Sequence, residues 1–266
     1  MDWLNALVLG IVQGLTELLP VSSSGHLVLA EKALGLELSD LSFEISVHVA
    51  TALGLCLVLR NELGVMVRSI AQSGLAPEAK RRGRSLILYV LIGSIPAAVV
   101  GVFLSKQVQA VFHSATLTFA MLPLTGVFLL VTRWAREKKL ALSPGLALLV
   151  GIAQAVAVLP GISRSGVTIG AALLLGVNRE EAVKFSFLLS LPAIVGGALL
   201  EFSRSLDAES TVGADSLAIG SVVAFACAVF AAGALLRLVK RGKLEYFGYY
   251  CLVVGVVGLI LTTASP

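Results

Sequence analysis

The residues best suited to chemistry lie in two short polar segments, each of which interrupts a long apolar stretch. The first segment is preceded by Gln13 and Glu17, which are four residues apart and share one face of a helix. It continues through Pro20 to the run Ser22-Ser23-Ser24-Gly25-His26. A carboxylate, three hydroxyls and an imidazole so close together could bind a phosphate group and move its protons.

A helix is predicted to begin near Leu27, directly after the serines. The free N–H groups at its start, together with the serine-rich turn, suit an oxyanion such as phosphate. The alternative is that the serines only cap the helix. Glu17 favours function more strongly, because a carboxylate among leucines is costly unless it has a partner. His26 alone could be structural, but its polar neighbours also make it a candidate catalytic group.

The second segment is Pro160-Gly161-Ile162-Ser163-Arg164-Ser165-Gly166, and it supplies a positive charge. Arg164 is far from the basic loops, and an arginine within a membrane needs an anion. Its planar guanidinium matches the oxygens of a phosphate. Thr168 adds a hydroxyl one turn into the following helix. The alternative is that Arg164 pairs with Glu17 and only locks the two segments together.

Three other polar residues lie within or beside the apolar stretches. Glu44 and His48 are one helical turn apart early in an apolar stretch, so both are candidates for lining a cavity. Glu201 is near the end of another stretch and is interpreted as interfacial.

The composition is that of a membrane protein. Of the 266 residues 57% are hydrophobic and 14% are charged, where a soluble domain has about 25% charged residues. Mean hydropathy is +0.95. These values exclude an ordinary soluble domain, and the net charge of +4 comes from short basic loops rather than a nucleic-acid-binding surface. The fold class is therefore an all-α polytopic membrane protein.

Six apolar stretches are long enough, or nearly so, to span a bilayer: 45–59, 86–104, 115–132, 185–200, 217–236 and 246–264. Shorter apolar stretches flank each polar segment, and such lengths are typical of re-entrant elements. They predict two helical hairpins, at about 3–36 and 144–177.

The two hairpins are related by a shift of 141 residues. The shift places Gly10 on Gly151 and Ser22 on Ser163, without a gap across the polar turn. The chain is thus predicted to be one membrane domain made of two repeats, 1–140 and 141–266, each with one re-entrant hairpin and three transmembrane helices. Because three spans per repeat is odd, the second repeat is inverted and the hairpin tips can meet near mid-membrane, an arrangement that marks a binding site.

Both polar segments, with Gln13, resemble the signature motifs of bacterial undecaprenyl-diphosphate phosphatases, the bacitracin-resistance family. The resemblance covers the whole chain. It implies hydrolysis of undecaprenyl diphosphate to undecaprenyl phosphate and inorganic phosphate, which recycles a lipid carrier for cell-wall synthesis. Gln13 stands where many members carry glutamate, so a two-carboxylate metal site cannot be assumed.

The resemblance also implies the site, its cofactor and its partners. It implies a catalytic set of Glu17, Ser23, His26 and Arg164, and a divalent cation, Mg²⁺ or Ca²⁺, for which Glu17 and Gln13 are the candidate ligands. The partners are a polyprenyl diphosphate lipid and the bilayer, not nucleic acid, and a homodimer is left open. The site is expected to open to the periplasmic side of the bacterial cytoplasmic (inner) membrane. The residues expected to bind substrate are Gln13, Ser22, Ser24, Gly25, Ser163, Ser165, Gly166 and Thr168.

Two other classes of function use the same features. Inverted repeats with broken helices are also a transporter architecture, so the chain could be a polyprenyl-phosphate flippase or an anion transporter. A non-catalytic lipid-binding scaffold is a third class. Both alternatives explain Arg164, but they require less chemistry from the cluster of Gln13, Glu17 and His26. Whether Ser23, His26 or a water attacks the phosphate stays open.

The distribution of basic residues predicts the topology. The 60–84, 133–143 and 237–245 loops carry fourteen lysines and arginines, whereas the 105–114 and 203–216 loops carry two. By the positive-inside rule, the first three loops are cytoplasmic and the other two external.

A single cysteine at position 106 of a cysteine-free variant should react with an impermeant thiol reagent in intact cells. Labelling only after permeabilisation would contradict this topology.

Overall fold

The computed structural model describes residues 1–36, 41–71, 74–103, 114–136, 138, 140–205 and 212–264, which form an all-α membrane protein. A 3₁₀ turn, Thr132–Trp134, follows the helix Ala115–Val131. In chain order the described α-helices are α1 Trp3–Thr16, α2 Ser23–Ala33, α3 Leu41–Val58, α4 Arg60–Ala71, α5 Pro77–Phe103, α6 Ala115–Val131, α7 Pro144–Val156, α8 Arg164–Leu174, α9 Arg179–Ser205, α10 Ala214–Lys240 and α11 Glu245–Ala264.

Six of these helices (α3, α5, α6, α9, α10 and α11) are long and apolar enough to cross a membrane, as the sequence predicts. Several are longer than expected. The span predicted at 86–104 is part of α5, which begins at Pro77, and the span predicted at 185–200 is part of α9, which begins at Arg179. The 105–114 loop lies almost wholly outside the described residues.

The two predicted hairpins are present as pairs of short helices. The first consists of α1 and α2 and the second of α7 and α8, with 11 to 14 residues in each helix. A span needs about 20 residues, so none of the four crosses a bilayer alone. Local sequence fixes their starts, since Asp2 caps α1 through the N–H of Asn5, and Ser143 caps α7 through the N–H of Leu146.

The helix ranges follow the 141-residue shift in the hairpins. The shift carries Ser23–Ala33 onto Arg164–Leu174, which are the bounds of α2 and α8. The inverted orientation of the second repeat and its boundary at residue 140 stay predictions.

Two long helices form the middle of the bundle. α3 and α9 pack against each other, α1 and α10 pack beside α3, and α5 packs against both α7 and α9. α6 and α11 form a further pair, and α6 contacts the hairpins through α2 and α8. This arrangement holds both hairpins against long helices, so their tips have a fixed position.

Glycines allow each hairpin to lie very close to its long helix. A Cβ atom added to Gly10 in α1 would be 2.6 Å from the carbonyl oxygen of Gly220 in α10. In the second hairpin, a Cβ added to Gly151 would overlap the carbonyl oxygen of Gly93 in α5. Such backbone contact is typical of small residues at membrane helix interfaces.

The segment from Arg60 to Arg84, predicted as a loop, is largely helical, so that prediction is wrong. Leu63 and Met66 of α4 pack against the core at helical spacing, and Ser69 is buried beside Gly83. The Nζ of Lys184 in α9 is 2.7 Å from Glu62 Oε1 in α4 and also pairs with Glu180. Lys240 at the end of α10 pairs with Glu180 as well, so this ion-pair network joins three helices.

The contact between α7 and α5 can be tested by adding one methyl group. We expect Gly151→Ala to destabilise the protein by about 1–3 kcal/mol, as overpacking does, because the methyl meets backbone that cannot move aside. Gly145→Ala is the matched control in the same helix, where no described atom is within 4 Å of the added carbon. The measurement is thermal unfolding in detergent. Equal unfolding temperatures for the two variants would show that the helices separate easily.

Candidate active site

The hairpin tips meet at a cavity of about 420 Å³. Its walls come from both hairpins, the first half of α3 and the second half of α9. Its polar lining consists of Thr16, Glu17, Ser22, Ser23, Ser24, Glu31, Glu44, His48, Ser163, Arg164 and Glu201.

Glu17 is the centre of the polar contacts at this cavity. Its side chain is only 2% exposed, and its Oε1 accepts a 2.6 Å hydrogen bond from Arg164 Nη2. Its Oε2 accepts hydrogen bonds from Ser23 Oγ at 2.7 Å and Gln13 Nε2 at 3.0 Å. His48 Nε2 is 3.7 Å from the same oxygen. Glu17 therefore joins α1, α2, α3 and the second hairpin at one point.

Arg164 is the first residue of α8, and it faces the cavity with a quarter of its side chain exposed. Besides Glu17, it donates from Nη1 to the carbonyl oxygen of Ser190 at 3.3 Å. A guanidinium has five N–H donors, so the fork can hold these two acceptors and still bind an anion. Under the 141-residue shift Arg164 corresponds to Ser23, the first residue of α2. Equivalent helix starts thus contribute a hydroxyl and a cation to one site.

The two helix starts differ in their caps. Ser163 caps α8, because its Oγ accepts a hydrogen bond from the N–H of Gly166. The Ser22 side chain makes no such bond to α2 and contacts Ser24 Oγ at 3.2 Å instead. The first N–H groups of α2 are therefore left without a side-chain cap, at the positive end of a helix dipole beside the cavity.

The turn of the second hairpin is held against the first hairpin and α6. Gly161 has a φ of +84°, and a Cβ there would overlap the carbonyl oxygen of Thr118, so only glycine fits. Its N–H donates to Ser24 Oγ at 3.3 Å. Ser165 Oγ donates to the carbonyl oxygen of Leu19 at 3.0 Å. These bonds tie the two tips together independently of the ion pair.

His26 faces away from the cavity. Its Nδ1 is 2.8 Å from the carbonyl oxygen of Ser22, and its Nε2 is 2.7 Å from the hydroxyl of Tyr250 in α11. The side chain is buried and is not among the residues that line the cavity. Both ring nitrogens are thus occupied by groups outside the Glu17 cluster.

The predicted site residues fall into two layers. Glu17, Ser22, Ser23, Ser24, Ser163 and Arg164 line the cavity, whereas the others lie behind them. Gln13 supports Glu17, and Thr168 donates to the carbonyl oxygen of Arg164 and contacts Ser186 Oγ. Gly25 and Gly166 are tightly packed, against Leu122 and Ser163 respectively. The residues behind the wall are His26, Gln13, Gly25, Ser165, Gly166 and Thr168.

The sequence gives little indication that some of the residues lining the cavity belong to it. Glu44 and His48 line the cavity as proposed, but Glu201, interpreted only as interfacial, also lines it because α9 continues along the wall. Glu31 is a further lining residue. Its position one helical turn after Leu27 and Val28, on the face of α2 that leads back to the serines, is the signal that could have identified it.

The residues around Glu17 offer oxygen ligands for a hard cation. Gln13 Oε1 is buried and has no hydrogen-bond partner among the described residues, next to the Glu17 carboxylate. Within the described ranges, no three histidines, cysteines or carboxylates are grouped so that they could hold a metal. The oxygen donors beside the cavity are thus the Glu17 carboxylate and the Gln13 amide, a set that only a cation completing its shell with substrate phosphates and water, as Mg²⁺ commonly does, could use.

Comparison with known proteins places these features in a family. Residues 6–257 match the family described as bacitracin resistance protein BacA. Proteins named undecaprenyl-diphosphatase from Desulforapulum autotrophicum and Bacteroides fragilis are 41% and 40% identical to this chain, over 98% of it and at least 98% of their own lengths. One from Korarchaeum cryptofilum is 41% identical over 98% of this chain and all of its own. The chain therefore belongs to the BacA bacitracin resistance family.

Proposed function

We propose that the protein hydrolyses undecaprenyl diphosphate to undecaprenyl phosphate and inorganic phosphate. The observation that carries the proposal is the contact between Glu17 and Arg164, which joins the two hairpin tips at the wall of one cavity. The names of the relatives supply the substrate, and the site supplies the chemistry that such a substrate needs.

A diphosphate needs positive charge around the oxygens that gain charge as the bond breaks. Arg164 and the uncapped start of α2 provide that charge from opposite hairpins. The ion pair with Glu17 lets Arg164 remain charged in an apolar surrounding before substrate arrives. A phosphate entering the cavity can then share the guanidinium with Glu17.

Glu17 also serves as a proton acceptor in this proposal. Ser23 Oγ already donates a hydrogen bond to Glu17 Oε2, which is the geometry of a nucleophile beside its base. Either Ser23 itself or a water bound beside it can transfer a proton to Glu17 while attacking the terminal phosphorus, and the anhydride bond then breaks so that undecaprenyl phosphate leaves. If Ser23 attacks, water must afterwards hydrolyse the phosphoserine to release inorganic phosphate and restore the hydroxyl. His26 is less suited to attack, because both of its ring nitrogens are held outside the cavity.

A divalent cation is part of the proposal. Glu17 and the free Gln13 oxygen would hold it, and its charge would neutralise the phosphate oxygens. The remaining ligands would come from the substrate and from water.

The orientation in the membrane follows from the charge distribution. The cavity is lined by the start of α3 and the end of α9, which lead away from the basic loops predicted to be cytoplasmic. We therefore assign the protein to the bacterial cytoplasmic membrane with the cavity opening to the periplasmic side. The homodimer that the sequence leaves open stays a prediction.

The experiment that tests the function is release of inorganic phosphate from undecaprenyl diphosphate by purified protein in detergent. A transporter needs two compartments, whereas hydrolysis does not, so phosphate release separates the enzyme from a polyprenyl-phosphate flippase or a scaffold. We expect release from the native protein. Its absence from folded protein supplied with Mg²⁺ or Ca²⁺ would refute the proposal.

Replacement of Arg164 tests the site within the same assay. Lysine keeps the charge but loses the planar fork. We expect Arg164→Lys to fold and to lose hydrolysis by about 10²–10³-fold, the scale of one lost transition-state contact. Arg164→Ala should lose more and also be less stable, because Glu17 is left unpaired. Near-native rates in either folded variant, matched by unfolding curves, would make Arg164 a structural lock.

Chelation tests the cation. We expect a chelator to abolish phosphate release, and Glu17→Gln to remain inactive even in excess Mg²⁺, because the carboxylate is lost as both ligand and base. Gln13→Glu should retain activity, since it supplies an oxygen ligand in the same place. Full activity of the native protein in chelator would show that no cation is required.

A further inference from the structure

The hydrogen bonds of His26 define the tautomer of its neutral ring. The Ser22 carbonyl oxygen, 2.8 Å from Nδ1, can only accept a hydrogen bond. The neutral ring must therefore carry its proton on Nδ1 and leave Nε2 with a lone pair. That lone pair is 2.7 Å from the hydroxyl of Tyr250, so the tyrosine donates to it. The two rings lie within 9° of parallel, with their centroids 5.5 Å apart.

α11 contacts the first hairpin turn at a second point. The thiol of Cys251 is 3.5 Å from the carbonyl oxygen of Pro20, at the opposite end of the turn from His26. Two consecutive residues of α11 thus hold both ends of the segment that contains the three serines.

The backbone held by His26 is unusual. Ser22 has φ +68° and ψ +100°, and it is the one non-glycine residue with positive φ in the part of the chain that the structure describes. Such a backbone is costly and persists only when its surroundings hold it. The next residue is Ser23, whose hydroxyl is 2.7 Å from Glu17. The position of this hydroxyl therefore depends on the conformation of Ser22.

We infer that Tyr250 is a positioning residue that acts through His26. Its hydroxyl holds the His26 ring in the Nδ1–H form, His26 Nδ1–H holds the Ser22 carbonyl, and the Ser22 backbone directs Ser23 towards Glu17. The effect on catalysis rests on the proposed hydrolysis. The hydrogen-bond chain itself does not, because it is a property of the resting protein.

Kinetics of Tyr250→Phe test the catalytic part. The substitution removes only the hydroxyl, so we expect kcat to fall about three- to tenfold, the scale of one hydrogen bond, with KM unchanged because Tyr250 does not line the cavity. Tyr249→Phe, at the exposed neighbouring tyrosine of the same helix, is the matched control and should retain native kinetics.

A double-variant cycle separates positioning from general stability. If the hydroxyl acts only through His26, Tyr250→Phe should cause no further loss in a protein that already carries His26→Ala. Additive losses, or native kcat in Tyr250→Phe alone, would overturn the inference.

Nitrogen NMR of protein labelled with ¹⁵N-histidine shows directly which ring nitrogen of His26 carries the proton. The chain has three histidines, and the signal missing from His26→Gln identifies His26. We expect the Nδ1–H form in the native protein and a shift towards a mixture of forms in Tyr250→Phe. An Nε2–H form in the native protein would overturn the inference, even if the phenylalanine variant fails to fold. The expected spectra in a protein that releases no phosphate would refute the hydrolysis and leave the Tyr250 contact intact.

Discussion

A carboxylate and a guanidinium held 2.6 Å apart at the junction of two apolar hairpins determine how the rest of the structure is arranged. Neither Glu17 nor Arg164 could remain charged alone among these helices without a large cost. Their pairing requires the two hairpin tips to meet, which in turn requires α1 and α7 to approach the long helices closely. Arg164 can also exchange its partner, because an incoming phosphate is a second anion that the guanidinium can bind.

The site combines two halves that are similar in framework and different in chemistry. α2 and α8 begin at positions related by the 141-residue shift, yet one starts with Ser23 and the other with Arg164. The same shift places Glu17 on Val158, so only the first hairpin has the carboxylate. Helices with matching bounds thus stand beside different charged groups, a carboxylate in the first hairpin and a guanidinium in the second.

The sequence predicts most of the framework and the central pair, for clear physical reasons. Long apolar stretches identify spans, and a lone arginine between apolar half-helices identifies a site, because both patterns carry large transfer energies. The role of His26 is harder to predict. Because His26 is close to the serines in sequence, one expects it to line the cavity. The orientation of its side chain depends instead on Tyr250, more than 200 residues away. α4 is missed because its 12 residues are too few to span a bilayer and its apolar positions are mixed with charges that also favour a loop.

The crossings at Gly10 and Gly151 leave no layer of side chains between each hairpin and its long helix. Ordinary helix pairs can slide slightly, since interlocked side chains change rotamer, but backbone in contact with backbone has no such freedom. Each hairpin therefore contacts α5 or α10 through a rigid backbone crossing. Helix tilt responds to the thickness of the surrounding bilayer. The hairpins that carry the charged groups are therefore packed, backbone against backbone, on helices whose tilt the surrounding lipids influence.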